Sequence, residues 1–306
     1  MIAAALVASR LLHYGAVTAL FGAALFPLYA YRDGGGEPDV LVRGRVRWMV
    51  WAAGVALLSG LLWLALTTAS MTGDAADAVS PAAIWTVVSE MPFGRIWAAR
   101  MGLALVILGL VVASENRPRG LIAGLAGGLL ASIALTGHAQ AEAGGARTLH
   151  ILADGLHLIA AGAWLGALIA IGALVRWAAK AGVHERLVLA KAIRRFSRLG
   201  YGAVAALIGS GLVNATFLVG SLKGLVGSGY GRLLLVKLAL FAAMLAFAAV
   251  NRLWISPALD APHDIRSAPP WLVRLRRNVI AEQALGALVL AVVAVMGTLA
   301  PPAGGS

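Results

Sequence analysis

Residues 153–175 read ADGLHLIAAGAWLGALIAIGALV, and Arg176 follows. Past Asp154 there is no charge for 21 residues. A helix rises about 1.5 Å per residue, so roughly 20 apolar residues cross the hydrocarbon of a bilayer. The stretch is therefore expected to span a membrane, with Asp154 and His157 near one end and Arg176 at the other. Seven further stretches have the same character: 9–31, 48–70, 95–114, 119–138, 197–219, 231–251 and 278–299. Together the eight occupy most of the chain and leave little room for a soluble domain.

Composition agrees. Of 306 residues, 60% are hydrophobic and only 12% charged, which points to an all-α polytopic membrane protein. The chain has no cysteine, so disulfides, thiolate ligands and a cysteine redox centre are excluded. A net charge of +12 raises the question of nucleic acid, but its distribution answers it. Of the 25 Lys and Arg, 18 fall in alternate loops, for example Arg43, Arg45 and Arg47 in the first and Arg194, Arg195 and Arg198 in the fifth. The second loop carries Asp74, Asp77 and Glu90 instead. By the positive-inside rule the odd loops are cytoplasmic and both termini periplasmic, and the basic loops meet anionic lipid rather than nucleic acid. Residues 1–8 have no positive n-region and Arg10 interrupts the apolar run, so 9–31 is expected to be a retained first helix, not a signal peptide.

A faint internal duplication runs through the chain. Leu12-His13 is followed nine positions later by Gly22, and Leu156-His157 by Gly166. Ser59-Gly60-Leu61 matches Ser210-Gly211-Leu212. Gly94-Arg95 with Arg100 matches Gly231-Arg232 with Lys237, and Gly137-His138 matches Gly297-Thr298. The order predicts two parallel four-helix repeats, residues 1–147 and 148–306, related by an axis along the membrane normal. His13 and His157 are then mates, whereas His138 faces Thr298.

Counting from the basic anchors, Arg32 back to His13, Arg119 forward to His138 and Arg176 back to His157, puts three imidazoles at the periplasmic edge. Imidazole is costly in hydrocarbon without a partner or a role. Their convergence predicts a metal or haem site. His150, Asp154, His157 and Trp164 share one helical face. A carboxylate one turn from an imidazole orients its tautomer or shares its metal; otherwise Asp154 and His150 form a solvated helix entrance. Arg100 and Lys237 either snorkel to headgroups or organise carboxylates in an outer cavity that Asn214 faces. Met71, Met91, Met101 and Met296 fall toward the outer side, where thioether suits Cu(I) but is also ordinary packing. Glu282, a turn inside the cytoplasmic end of the eighth stretch, either pairs with Arg252 or Arg277 or lines an inner exit.

These residues resemble the CopD/PcoD family of inner-membrane copper-resistance proteins. The resemblance rests on Arg10-Leu-Leu-His13-Tyr14, Thr136-Gly-His138-Ala, Asp154-Gly-Leu-His157 through Trp164-Leu-Gly166, and Tyr230-Gly-Arg232 to Lys237 through Asn251-Arg252. Pro257-x-Leu259 and Arg277 with Glu282 complete it, so it spans essentially the whole chain. It implies a copper protein of the bacterial inner membrane that moves copper from periplasm toward cytoplasm, with a periplasmic CopC-like carrier as a donor. The expected ligands are His13, His138 and His157, with His150 or Asp154 completing the shell. Nitrogen with carboxylate oxygen favours Cu(II), and added methionine favours Cu(I). The chain lacks the G-x-x-x-x-G-K-[ST] phosphate loop and a phosphorylated-Asp pump motif, so either transport is passive or gradient-driven or the protein is a metal-delivery device; it is not expected to be an enzyme. The alternative is a haem b cytochrome using two of the same imidazoles.

Overall fold

The computed structural model describes residues 2–32, 36–113, 118–137, 142–180, 182–255 and 270–305. The described chain is helical throughout, as lipid requires, because only a helix satisfies its own backbone donors and acceptors inside a bilayer. The helices are α1 (Ile2–Ala30), α2 (Asp39–Thr72), short α3 (Pro81–Glu90), α4 (Pro92–Ala113) and α5 (Arg119–Ala131, running on as a 3-10 turn to Thr136). They continue as α6 (Gly144–Ala178), α7 (Val183–Leu218), short α8 (Leu222–Gly227), α9 (Gly229–Val250) and α10 (Pro270–Met296). Eight of them are long and apolar enough to cross a membrane: α1, α2, α4, α5, α6, α7, α9 and α10.

The spans start earlier than the hydropathy minimum suggests. α1 begins at Ile2 rather than residue 9, because Arg10 does not interrupt it: its guanidinium lies over the Trp63 ring, 5.0 Å from the centroid. α6 begins at Gly144 rather than 153, so His150 belongs to the helix and not to a loop before it. α10 begins at Pro270, which puts Glu282 twelve residues inside rather than one turn. The acidic second loop is not loop throughout. Ser80 caps α3 by accepting from the Ala83 amide, with Pro81 in the first turn.

α1 and α6 form the centre. In their apolar windows 67% and 61% of residues are buried, against 6% for α9, whose surface is left to lipid. α1 packs on α2, α5 and α6, while α6 packs on α7, α1 and α10. Alanines of α1 and α2 interleave with Ile107, Val111, Ala126 and Leu129 of α4 and α5 in one core. Trp164 and Leu168 of α6 meet Ala203 and Leu207 of α7 and Met244 of α9 in another. At the α1–α6 crossing the backbones touch: a Cβ on Gly22 would overlap the Gly166 backbone, and one on Gly166 would overlap Gly22. Small residues at this point are what allow such an approach between membrane helices.

Candidate functional site

His13 is fully buried in α1. Its Nε2 lies 2.9 Å from Arg100 Nη2 of α4. Guanidinium only donates, so Nε2 accepts and the ring proton sits on Nδ1. That proton is donated to the Ala56 carbonyl of α2 at 3.0 Å, with Ser59 Oγ at 3.4 Å. Trp97 and Trp63 flank the ring at centroid distances of 5.3 and 5.7 Å, and Arg100 itself lies 4.8 Å from the Trp97 centroid. Arg100 Nη1 is held by the Leu129 carbonyl and Ser132 Oγ of the α5 end. An arginine that sequence offered as a headgroup snorkeller is thus enclosed, 2% exposed, and directed at an imidazole.

His157 repeats the arrangement on the other side. Its Nδ1 lies 3.0 Å from Ser210 Oγ of α7 and also bonds the Leu207 carbonyl; its Nε2 lies 3.4 Å from Lys237 Nζ of α9. Ser210 gives its own proton to the Ala206 carbonyl, as Ser59 does to Val55, so each hydroxyl oxygen is free to accept from the imidazole. Gly60 and Gly211 leave space beside the two rings: a Cβ on either would stand 3.4 or 3.5 Å from the imidazole Cε1. Gly94 and Gly231 are matched too, each pressed by the backbone of the short helix before it, α3 or α8. The residues that recur in sequence therefore recur in environment.

The other expected residues divide between these two centres. Asp154 accepts from Asn214 Nδ2 at 3.3 Å and interacts electrostatically with Lys237 and His150. The Asn214 Oδ1 is buried with no hydrogen-bond partner. Turning the amide over would set two acceptor oxygens against each other, so its orientation is fixed by Asp154. His150 is 2% exposed, stacks on Phe217 of α7 at 4.8 Å, and pairs through Nδ1 with both oxygens of Glu142 at 2.8 Å. Gly137 lies beside Asp154, a Cβ there being 3.9 Å from Oδ2. His138 lies outside the described residues.

His13 and His157 do not share partners: one turns to α2 and α4, the other to α7 and α9. Among the described residues no cluster of three or more His, Asp or Glu is arranged to hold a metal ion. Of the methionines, Met101 has its sulfur against Gly60, which also borders the His13 ring; Met71 is exposed, Met91 packs with Trp97 and Leu6, and Met296 packs with Tyr230. Trp164 packs against Leu207 of α7 and Phe241 of α9. It reaches Glu282, whose other partner is Asn251 Nδ2 at 2.7 Å. The expected pairing of Glu282 with Arg252 or Arg277 is corrected accordingly: Arg252 donates to the Tyr201 hydroxyl at 3.3 Å.

Sequence reading missed Glu142, Ser132, Trp97 and Phe217. Glu142 lies eight residues before His150 and ahead of the start of α6, where helical periodicity does not apply. Ser59 and Ser210 were visible as a recurrence, though not as imidazole partners.

Comparison with known proteins gives a consistent family. The description "Copper resistance protein D-like, N-terminal domain" matches residues 1–149, and "Copper resistance protein D" matches residues 190–296. The chain is 34% identical to Copper resistance protein D of Pseudomonas syringae pv. tomato, covering 96% of each chain. It is 30% identical to Inner membrane protein YebZ of Escherichia coli (strain K12), covering 98% of this chain and 100% of that one. It is 30% identical to Copper transport protein CutJ of Bacillus subtilis (strain 168), covering 96% of this chain and 52% of that one. No solved structure matches.

Proposed function

Since the chain belongs to the copper resistance protein D family, we propose that it carries copper from the periplasm toward the cytoplasm through a site on the outer half of α6. It is a multi-pass inner-membrane protein, and copper is its cargo. The receiving groups are Asp154 and His150 with Glu142, and His138, which follows Gly137 in the sequence, is proposed to join them. His157 and His13 stand further along the two central helices.

The observation that carries this reading is the pair of acceptor groups at Asp154. A carboxylate and the unpartnered amide oxygen of Asn214 lie there together, flanked on one helix face by His150 and His157. Oxygen and imidazole nitrogen of this kind suit Cu(II), while Met101 near His13 supplies a softer donor. At His13 and His157 a metal ion and a cationic side chain compete for the same lone pair, so copper engages Nε2 only as Arg100 or Lys237 withdraws. The haem alternative has no observation in its favour.

Copper content and absorption spectra of the detergent-purified chain test this. Asp154→Asn and His157→Ala are expected to lower copper stoichiometry, with His13→Ala reducing it less. Unchanged copper in all three variants overturns the assignment. We also propose that the halves 1–147 and 148–306 arose by duplication, which their paired imidazole environments support. A superposition that failed to bring His13 onto His157 and Gly22 onto Gly166 together removes that reading.

A further inference from the structure

Glu282 lies well inside the bundle and is 1% exposed. Asn251 Nδ2 donates to its Oε1 at 2.7 Å, and Trp164 hydrogen-bonds the same carboxyl. Asn251 is itself fixed, its Oδ1 accepting from Asn278 Nδ2 at 2.7 Å. All three neighbours are neutral and do not titrate. Among the described residues no cation pairs with Glu282. The contrast within the molecule is Glu37, at the loop end of α2, which Arg45 grips with Nε and Nη2 at 2.8 to 3.2 Å. An unpaired carboxylate in a low-dielectric interior is costly, whereas the neutral acid is tolerated there.

Two features of the surroundings suggest more than a satisfied polar residue. Asn251 opens a single π-helical turn, Asn251–Ile255, at the end of α9. Such turns cost regular hydrogen bonding and occur often at functional sites. A cleft of about 70 Å³ between α6 and α10 is lined by Gly172, Arg176, Arg276 and Gln283, the last being the residue after Glu282 in the sequence. That volume admits water. Trp164 stands seven residues beyond His157 on α6, two turns and about 10 Å away on the same face.

We propose that Glu282 is a proton-carrying site, binding and releasing one proton from within the membrane while Asn251 and Trp164 hold its carboxyl and Asn278 holds Asn251. The step is Glu–COO⁻ + H⁺ ⇌ Glu–COOH, and no electron moves. Among the described residues no charged group of the packed helices forms an ion pair with Glu282. Arg252 of α9 turns to Tyr201 of α7, Arg276 and Arg277 lie at least a turn closer to the start of α10, and Arg10 of α1 stands at the far end of α10 against Gly297. The use of this proton to drive copper rests on the function proposed above; the proton site itself does not.

Infrared difference spectroscopy of the purified chain in lipid, titrated with acid and base and without copper, tests it. A carboxylic-acid C=O band is expected that grows with acid, moves down in D₂O and is lost in Glu282→Gln. In Glu282→Asp it should return at another position, and in Asn251→Ala or Trp164→Phe it should shift without vanishing. The two neighbour variants keep the carboxyl and so serve if Glu282→Gln does not fold. Absence of any band dependent on Glu282 overturns the proposal, and so does a band that never titrates, since the proton is then structural. Copper plays no part in the readout, so failure here leaves the copper assignment standing, and loss of that assignment leaves this one intact.

Discussion

An imidazole has one lone pair when neutral, and at His13 and His157 that pair faces a cation. The helix carbonyl and serine on the Nδ1 side set the ring tautomer, a role commonly filled by the partner of a metal-binding histidine. What differs here is the occupant of the Nε2 side. Lys237→Met keeps much of the side-chain length and removes the competitor, and it leaves Asp154 without its cationic neighbour. Both effects favour a bound cation. Copper affinity of this variant is expected to rise about tenfold, equivalent to ~1.4 kcal/mol, as measured by competition with a chelating dye; weaker binding would show Lys237 to be part of the receiving site. The histidines and the two basic residues were legible in sequence because they recur at matched places. Their pairing was not legible. Spacing shows that Arg100 lies five residues past Arg95, but not that α4 turns it toward α1.

At the scale of elements, periodicity and hydropathy found the eight spans and missed their ends. A 20-residue rule returns the minimum needed to cross lipid, whereas α2, α6 and α7 run to 34, 35 and 36 residues. Each continues into its flanking loop. The short helices went unseen for the opposite reason, being too brief to register as spans, although their caps were in plain view. Ser80 before Pro81 and Ser221 before Leu222 each accept from a backbone amide of the first turn. Ser80→Ala is expected to destabilise α3 by about 1 kcal/mol. The check is hydrogen exchange across residues 81–90, which should quicken there while the amides of α1 and α6 keep their protection. α3 matters because its backbone presses on Gly94 at the start of α4, the helix that carries Trp97 and Arg100.

For the whole molecule, the basic loops predict an orientation that the helices alone do not give. Since the chain has no cysteine, one introduced at Ala303 is a unique label. In intact spheroplasts a membrane-impermeant maleimide is expected to modify Ala303→Cys and to leave Arg194→Cys untouched; the reverse pattern places the termini in the cytoplasm. The fold class was readable from composition. The centre of the bundle was not, because α1 and α6 resemble the other spans in hydropathy and differ only in what they bury. Gly22 and Gly166 hinted at it, being the pair that lets the two backbones touch.

The two half-sites share a serine and a helix carbonyl at the imidazole and differ in the cation that faces it. Guanidinium keeps its charge at any pH a cell meets, and Arg100 is tied by three further contacts to Leu129, Ser132 and Trp97. Lys237 carries a compact ammonium on a flexible stem and stands 3.4 Å from its imidazole rather than 2.9 Å. In the transport role proposed above, His157 is therefore the imidazole that an incoming ion can free, while His13 stays clasped.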